Sequence, residues 1–491
     1  MIRSGVGKLG PSSRRPAREF EFVPRVVNPV RIRRAIIVAA DEQLRTSGAV
    51  LRQQMPWVGV TVLLDPVSAS NHAAGEPTVF LFDDTAMTLV DAARIRKENH
   101  DAVIVLLSSN PFVQCSPPTA AQQRFRYTSA ADLVFATSRS EFPPSRIIAS
   151  AVRAAEDRLN IANYSKVRRY IFLIVDDEPR WFSQFLPVLY GIIGQRADVM
   201  ITRTYEETLA FLFGVEDESG IDPERFRLQG HGDDVVCLIT DIFFPKGREL
   251  ARDAGRDLIR LVRRFYPRYP IVVASKAKEA EDPGGEALLM PKGDPGSLEK
   301  LRDYIQNFTG MGDFIIRDES GEEIHRVRTI QELYRTLQEA ETDTPVGRTL
   351  RGRLDVYAES DGFSTWLYMH SFRELGDRLR PLRLSGSRMI HALKRNLMRE
   401  ILRMQRTPLI VDGVKVYDLP DLLAALRTVD PAVIQPLSDD DVVSSWLDRK
   451  GYPELAEELR PIHGSGADLL YELAGRVEKW IGFYAGRPRP T

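Results

Sequence analysis

Residues 170–180 read YIFLIVDDEPR, an apolar run that stops on two adjacent carboxylates. The run predicts a buried strand, and its last apolar residue is followed directly by Asp176 and Asp177. Neighbouring carboxylates repel, and each raises the pKa of the other unless a positive charge lies between them. A bound cation is the simplest compensation, so this stretch predicts a buried strand that leads into a cation site.

The same alternation of apolar runs and amphipathic segments continues to about residue 310. The runs that predict strands are YIFLIV, DVMITR, VVCLIT, PIVVAS and EALLM. The segments between them, such as GRDLIRLVRRFY, have the spacing of amphipathic helices. Apolar strands that alternate with helices indicate a doubly wound parallel sheet covered on both faces. Such sheets bind ligands at the carboxyl ends of their strands.

Polar residues fall at those strand ends. Asp241 follows the third run, Ser275 ends the fourth, and Lys292 follows the fifth. Together with the acidic pair, these carboxylates suit a hard divalent cation such as Mg²⁺. Asp241 could then attack a phosphoryl donor, while the Lys292 ammonium neutralises charge and Ser275 donates a hydrogen bond to a phosphoryl oxygen. The predicted chemistry is acceptance of a phosphoryl group, followed by hydrolysis.

On these motifs, residues 168–310 resemble the receiver domain of two-component response regulators. The resemblance rests on IVDDEP for the acidic pocket, LITDIFFP around Asp241, then Ser275 and Lys292. It implies that Asp241 is phosphorylated, that Ser275 and Lys292 are further catalytic residues, and that Mg²⁺ is the cofactor. The implied Mg²⁺ ligands are Asp176, Asp177, Asp241 and the backbone carbonyl of Phe243.

Four features depart from the family pattern. Leu289 stands where the family has an aromatic residue, and Gly293 where it has proline. Only the short stretch KAKEAEDPGGE remains for a fourth helix, and GVEDESGIDPERFRLQGHGDD is inserted before the third strand.

The resemblance also implies that a phosphodonor protein docks on the first helix, EPRWFSQFLPVLYGIIG.

Residues 35–162 show the same alternation, with the runs AIIVAA, VGVTVLL, TVFLF, AVIVLL and ADLVFA. They resemble a degenerate receiver, and Thr137 stands where the family has its lysine. The site residues implied by the resemblance are Asp41, Glu42, Asp84 (with Asp83 as the second choice) and Ser108. Without the ammonium, phosphoryl transfer would be poor, so we predict a binding or dimerising pseudo-receiver. Weak metal binding there is left open.

The last third of the chain contains an internal duplication. The segments FSTWLYMHSFRELGDRLRP and VSSWLDRKGYPELAEELRP align without a gap at an offset of 80 residues. They predict two modules, 312–384 and 408–485, each opening with a hairpin, and a basic amphipathic linker helix over 385–407. The duplicated modules resemble the segment after the receiver in proteins related to phosphoenolpyruvate synthase, although no ATP-grasp or phosphohistidine domain follows them in this sequence.

Composition restricts the class of protein. The 491 residues carry a formal net charge of −1, which argues against nucleic acid as a partner. The longest apolar runs are strand-sized, so no bilayer span is predicted. Two cysteines without a partner motif fit a reducing cytoplasm. Residues 1–34 are predicted as a disordered basic tail and 486–491 as a second short tail.

The sequence thus predicts a cytoplasmic α/β protein with two doubly wound, flavodoxin-like receiver domains followed by a duplicated small α+β module. Its chemistry would be limited to phosphorylation and dephosphorylation of Asp241. The expected partners are a sensor histidine kinase or phosphotransfer protein, an output protein bound by the C-terminal modules, and a second copy in a homodimer. Two alternatives stay open: a DNA-binding regulator that uses the basic helix 388–406, and a regulatory subunit of a separate ATP-grasp or phosphotransfer enzyme.

Overall fold

The computed structural model describes residues 30–485, apart from 65–68, 70–75, 85–88, 114–130, 139, 164–169, 248, 277–286, 295, 381–383 and 462–463. Most of the predicted N-terminal tail, all of the C-terminal tail and nearly all of the stretch predicted as a short fourth helix lie outside the described residues. The described chain forms two α/β domains followed by two smaller, mostly helical modules.

The first domain is a parallel sheet flanked by helices. Its strands are β1 (Arg34–Val38), β2 (Gly59–Leu63), β3 (Thr78–Asp83), β4 (Val103–Ser108) and β5 (Leu133–Ala136). Its described helices are α1 (Glu42–Gln54), α2 (Leu89–Glu98) and α3 (Pro144–Asn163). The strand order is β2-β1-β3-β4-β5, with every neighbouring pair parallel. Strands β3, β4 and β5 are buried throughout, because helices cover both faces of the sheet.

The second domain repeats this topology. Its sheet strands are β6 (Ile171–Val175), β7 (Asp198–Thr202), β8 (Val235–Thr240), β11 (Ile271–Ser275) and β12 (Leu288–Pro291), in the order β12-β11-β8-β6-β7. Its helices are α4 (Pro179–Ile193), α5 (Tyr205–Phe213), α6 (Phe226–Gln229), α7 (Ala254–Phe265) and α8 (Ser297–Phe308). The predicted fold class is confirmed. The sequence pattern did not predict the small antiparallel hairpin of β9 (Phe244–Lys246) and β10 (Glu249–Ala251).

Each C-terminal module is a hairpin followed by five helices. The first contains β13 (Phe314–Arg317), β14 (Glu323–Val327), α9 (Ile330–Ala340), α10 (Pro345–Glu359), α11 (Gly362–Met369), α12 (Arg373–Leu379) and α13 (Gly386–Gln405). The second contains β15 (Leu409–Val411), β16 (Val414–Val416), α14 (Leu419–Leu426), α15 (Pro431–Asp439), α16 (Val442–Lys450), α17 (Pro453–Leu459) and α18 (Gly466–Ala485). Side-chain caps start the first helix of each module: Thr329 accepts a hydrogen bond from the N–H of Glu332, and Asp418 from that of Asp421.

The repeat extends beyond the segments that revealed it in the sequence. The last three helices of one module begin 80 residues before their counterparts in the other. Helix α13 packs Leu397 into a core with Trp366, and α18 packs Val477 into a core with Trp446. Helix α13, which the sequence predicted as a linker, is therefore the fifth helix of the first module. None of the helices in the described residues is both long and apolar enough to cross a bilayer.

The two α/β domains share one hydrophobic core. Phe135 on β5 meets Phe182 on α4 edge to face, with ring centroids 5.9 Å apart. Asp157 on α3 is fully buried and accepts hydrogen bonds from the Tyr190 hydroxyl and the backbone N–H of Val199, both at 2.9 Å. Since buried carboxylates need such partners, the first domain is fixed against α4 and β7.

This packing corrects one expectation. Helix α4 is the helix on which the sequence placed a docking phosphodonor protein. Of its fifteen residues only Gly191 is exposed, because β5 and α3 of the first domain and α8 of its own domain lie against it. The first domain therefore occupies a surface that the prediction left open to a partner.

The C-terminal modules lie against the amino ends of the second sheet. Tyr170, the residue before β6, packs on Tyr368 of the first module with ring centroids 4.2 Å apart. Arg196, two residues before β7, is buried and donates a hydrogen bond of 2.9 Å to Glu457 of the second module. Both modules therefore contact the edge of the sheet opposite to the one that carries Asp241.

A buried histidine joins the two modules. His370 Nδ1 lies 3.1 Å from Asp448 Oδ1, and its Nε2 lies 2.8 Å from the carbonyl oxygen of Gly312. Burial favours the neutral ring, but the attraction of Asp448 and the contact with Gly312 outweigh it, so the pKa of His370 is raised. A raised pKa stabilises the fold at low pH, and this contribution is lost as the pH rises through the folded-state pKa.

The wild-type protein should have a higher free energy of unfolding than a His370→Gln variant near pH 6. We expect this difference to fall as the pH is raised from about 6 to about 9. Urea denaturation at a series of pH values measures this difference. The same substitution at the exposed His391 is the control. A difference between wild type and His370→Gln that stays constant over this range would contradict the protonated ring.

Candidate functional site

Four of the predicted site residues lie at the carboxyl edge of the second sheet. Asp176 and Asp241 are the first residues after β6 and β8. Ser275 is the last residue of β11, and Lys292 is the first after β12. Strands β6 and β8 stay in register up to their last residues, and the Lys292 N–H donates to the carbonyl of Ser275 at 2.8 Å. The topology thus brings together residues that are far apart in sequence.

Lys292 is the centre of the site. Its Nζ lies 2.6 Å from Oδ2 of Asp176 and 2.5 Å from Oδ2 of Asp241. The lysine side chain is fully buried, and the two carboxylates are 2% and 6% exposed. The positive charge that compensates the carboxylate at the end of β6 is therefore the Lys292 ammonium. The sequence had predicted a bound cation in that role.

Backbone groups fix the remaining carboxylate oxygens. Asp176 Oδ1 accepts a hydrogen bond of 2.9 Å from the N–H of Glu178, and Asp241 Oδ1 accepts one of 2.6 Å from the N–H of Ile242. Gly255, at the start of α7, approaches so closely that a Cβ there would lie 2.1 Å from the backbone oxygen of Asp241. Any other residue at position 255 would push α7 or Asp241 out of place.

The electrostatics follow from this burial. Burial raises the pKa of Asp176 to about 7, with Lys292 opposing the rise and Asp241 adding to it. Burial also disfavours the Lys292 ammonium, but the attraction of both carboxylates outweighs it and raises the pKa of Lys292. The lysine therefore stays charged at neutral pH. With both acids ionised, the cluster of these three groups has one negative charge in excess, which a further cation could compensate.

The other predicted ligands follow the same two strands, β6 and β8. Asp177 is buried beside Asp176, and Phe243, whose backbone carbonyl was the implied fourth ligand, is 37% exposed. Within the described part of the chain, no three or more His, Cys, Asp or Glu side chains are grouped to hold a metal ion. The carboxylates of Asp176 and Asp241 are the hard oxygen donors that Mg²⁺ prefers. The donor chemistry fits Mg²⁺, but the grouping expected with Asp177 is not formed.

Sequence reasoning missed the side chains beside the site. The ring centroid of Trp181 lies 5.6 Å from Lys292 Nζ, and its indole N–H donates to Glu178 at 3.1 Å. Glu178 also forms an ion pair with Lys276. Burial raises the pKa of Glu178, but Lys276 outweighs this, and the pKa is lowered. The one signal in the sequence is that Trp181 falls in the first turn of the helix that follows the acidic pair.

The sheet register identifies the counterpart of Asp241 in the first domain. In the second sheet, the last residue of β6 pairs with the last residue of β8, and Asp241 comes directly after that pair. In the first sheet, the last residue of β1 pairs with a residue of β3, and Asp83 comes directly after that residue. Asp83 is therefore the counterpart of Asp241, whereas the sequence pattern favoured Asp84.

Ser108 ends β4 as Ser275 ends β11. Thr137 follows β5 as Lys292 follows β12, and its N–H donates to the carbonyl of Ser108 at 2.9 Å. The register thus places Thr137 at the position of the lysine, without its charge.

The acidic pair has no counterpart in the first domain. Ala39 and Ala40 follow β1 where the second domain has its two aspartates. Asp41, predicted as one of the pair, is the N-cap of α1 and accepts a hydrogen bond of 3.0 Å from the N–H of Leu44. Glu42 lies in the first turn of that helix. The local pattern was misleading because β1 ends at Val38, two residues before the end of the apolar run AIIVAA.

Internal hydrogen bonds engage the remaining carboxylates. Asp83 Oδ2 accepts hydrogen bonds from two backbone N–H groups of the β1–α1 loop, at 2.6 and 3.2 Å. Asp84 Oδ2 accepts from the Ser108 hydroxyl at 2.9 Å and from the N–H of Ser109 at 2.8 Å. In the first domain, neutral donors therefore contact Asp83 where an ammonium contacts Asp241.

No family model and no curated protein matches the chain. Two solved structures named as two-component system response regulator/GGDEF domain proteins are similar at 14% and 15% identity, cover 56% of this chain and 98% of their own, and have TM-scores of 0.26 and 0.25. A structure named as a sugar binding protein from Salmonella typhimurium LT2 is 12% identical, covers 56% of this chain and 86% of its own, and has a TM-score of 0.19. Similarity at this level carries no argument about function, and the resemblance to phosphoenolpyruvate synthase-related proteins stays a prediction.

The ion-pair geometry predicts the effect of removing the ammonium. Lys292→Met should lower the free energy of unfolding by about 3–5 kcal/mol near pH 8, because it leaves two buried carboxylates facing one another. The loss should be smaller near pH 5.5, where protonation of one acid relieves the repulsion. Lys276→Met, which removes a partly exposed partner of Glu178, is the matched control and should cost less than about 1 kcal/mol. Equal losses for the two variants in urea denaturation would contradict the central position of Lys292.

Proposed function

We propose that the protein is a signalling protein of the response-regulator type, whose second α/β domain accepts a phosphoryl group on Asp241. The observation that carries the proposal is the Lys292 ammonium between the buried carboxylates of Asp176 and Asp241. A buried ion pair is often no more stabilising than apolar residues of the same size. A phosphoryl acceptor, in contrast, needs a nucleophilic oxygen beside a fixed positive charge.

In the proposed reaction, a carboxylate oxygen of Asp241 attacks the phosphorus of the donor. The bond between phosphorus and the leaving group breaks, the leaving group takes the electron pair, and an acyl phosphate forms. Water then attacks the phosphorus, and the acyl phosphate is hydrolysed to the carboxylate and inorganic phosphate. Lys292 would neutralise charge on the transferred group, and Ser275 would donate a hydrogen bond to it. Mg²⁺ held by Asp176 and Asp241 would supply further neutralisation.

The first domain would not share this chemistry. Asp83, the counterpart of Asp241, has backbone N–H groups against its carboxylate, and the lysine position is Thr137. We therefore propose the first domain as a scaffold that covers α4. A sensor histidine kinase or phosphotransfer protein would then have to reach Asp241 from the carboxyl edge, past Trp181 and Lys276.

The C-terminal modules would carry the output by binding another protein. They contact the second domain through buried groups at the amino ends of its strands, such as Arg196 with Glu457. These contacts connect the modules directly to the second domain, and transmission of a change through them would require a second stable arrangement. Phosphorylation would act by favouring one of two arrangements of the domains.

The test is the intact mass of the full-length protein after incubation with acetyl phosphate and Mg²⁺. We expect one phosphoryl adduct in the wild type and none in Asp241→Asn. Asp83→Asn is the matched control, because Asp83 holds the same position in the first sheet, and it should keep the adduct. An adduct that survives Asp241→Asn and disappears in Asp83→Asn would assign the acceptor to the first domain and overturn the proposal.

Cation binding can be followed separately through Trp181, whose ring lies beside Lys292. Titration with Mg²⁺ should change the tryptophan fluorescence of the wild type, because a cation at Asp176 and Asp241 changes the field around that indole. The change should be absent in Trp181→Phe and in the double variant Asp176→Asn/Asp241→Asn. A change that persists in both variants would show that Mg²⁺ binds elsewhere.

A further inference from the structure

Helix α13 presents a cationic surface that its own module does not use. One face is buried in the core of the first module, with Met389, Leu393 and Leu397 among its contacts. The exposed residues recur every three or four positions along the opposite face. We define seven of them as the α13 outer face: Arg388, His391, Arg395, Met398, Arg399, Leu402 and Arg406. From first to last they extend about 27 Å at 1.5 Å per residue.

Most charges on the α13 outer face are not compensated. Arg388, Arg395, Arg399 and Arg406 form no ion pair with any of the described residues, whereas other cations of the helix do: Lys394 lies 2.5 Å from Glu341. The single carboxylate of the helix is Glu400, which is buried and lies 2.5 Å from Arg449. The outer face therefore has a strong positive field and no acid of its own.

The fold of the module does not require these arginines. Helix α18 has the same length and the same place in the second module, 80 residues further on. Its exposed positions include Asp468, Glu472 and Glu478, and Tyr471 is 85% exposed. Two helices with the same packing role thus carry different surface charge. The arginines of α13 are a property of this helix and not of the repeated fold.

We propose that the α13 outer face binds an acidic amphipathic helix of a partner protein. Met398 and Leu402, which are 36% and 50% exposed, lie in the middle of the face with arginines around them. An apolar centre with a cationic rim matches a helix that has an apolar stripe flanked by carboxylates. A second copy of α13 is a poor match, because cation would face cation. Nucleic acid would leave the two apolar side chains without a complementary surface.

This inference rests on the proposed output role of the C-terminal modules, but not on phosphorylation. The test uses the full-length, unphosphorylated protein and a fluorescent synthetic helix of about 20 residues, with leucines on one face and glutamates on its flanks. Two further probes are its glutamate-to-lysine version and a short DNA duplex. Fluorescence anisotropy measures binding. Failure here, together with a phosphoryl adduct on Asp241, would remove the inference and leave the proposed function standing.

The acidic helix should bind the wild type, and the lysine version should not. The double variant Arg395→Glu/Arg399→Glu should weaken binding about tenfold or more, since each exposed attraction is replaced by repulsion. The control Lys300→Glu/Arg302→Glu, which makes the same charge change on the exposed face of α8, should leave binding unchanged. Met398→Ser/Leu402→Ser should also weaken binding.

Four outcomes would overturn the proposal. They are tighter binding of the DNA duplex than of the acidic helix, no binding of the acidic helix, equal losses for the arginine variant and its control, and full affinity after both apolar residues are changed. The last of these would indicate attraction between charges without a helix interface. Circular dichroism of each variant checks that the modules stay folded.

Discussion

The ammonium of Lys292 between two buried carboxylates is the interaction on which the second α/β domain depends. Asp176 follows β6, Asp241 follows β8, and Lys292 follows β12, so each of three strands contributes one member of the cluster. Any one of these charges, buried alone, would oppose folding. Together they are tolerated only if the three strands end at the same level of the sheet. The cluster therefore constrains the register of the sheet. The sheet in turn holds the Lys292 ammonium within hydrogen-bond distance of both carboxylates.

Helix α4 links this cluster to the rest of the molecule. Trp181 in its first turn lies beside Lys292, and just after its last turn the N–H of Gln195 donates to Asp441 of the second module at 3.1 Å. A helix of fifteen residues spans about 22 Å, which covers the distance between the two edges of the sheet. At the cluster end, Arg180 also lies 5.2 Å from the ring centroid of Phe112 in the first domain. One rigid element thus contacts the site, the first domain and a module. Coupling through it would require two stable arrangements of α4, because contact alone does not transmit a change.

The sequence was sufficient wherever periodicity or repetition determined the structure. Ten apolar runs predicted the strands of both parallel sheets, and an offset of 80 residues predicted the duplicated helices. It failed where strand pairing or burial decided the outcome. The choice between Asp83 and Asp84 is a shift of one residue, which only the pairing of β1 with β3 resolves. The covering of α4 had a partial signal, because FSQFLPVLYGIIG contains few polar residues, although Ser183 and Gln184 fall on its less apolar side. The compensation of Asp176 by Lys292 depends on a contact between distant strands, which spacing alone does not specify.

The duplicated modules show which features the fold requires and which it leaves variable. Trp366 and Trp446 fill the same position and are both buried. The Trp366 indole N–H donates to the carbonyl of Gly312 at 3.0 Å, in the connection to the second α/β domain, whereas the Trp446 indole N–H has no hydrogen-bond partner among the described residues. The apolar body of the side chain is thus what the module core needs, and the extra hydrogen bond belongs to the junction. The two copies share this core position but present different groups outside it, so any difference in what they bind would come from those groups.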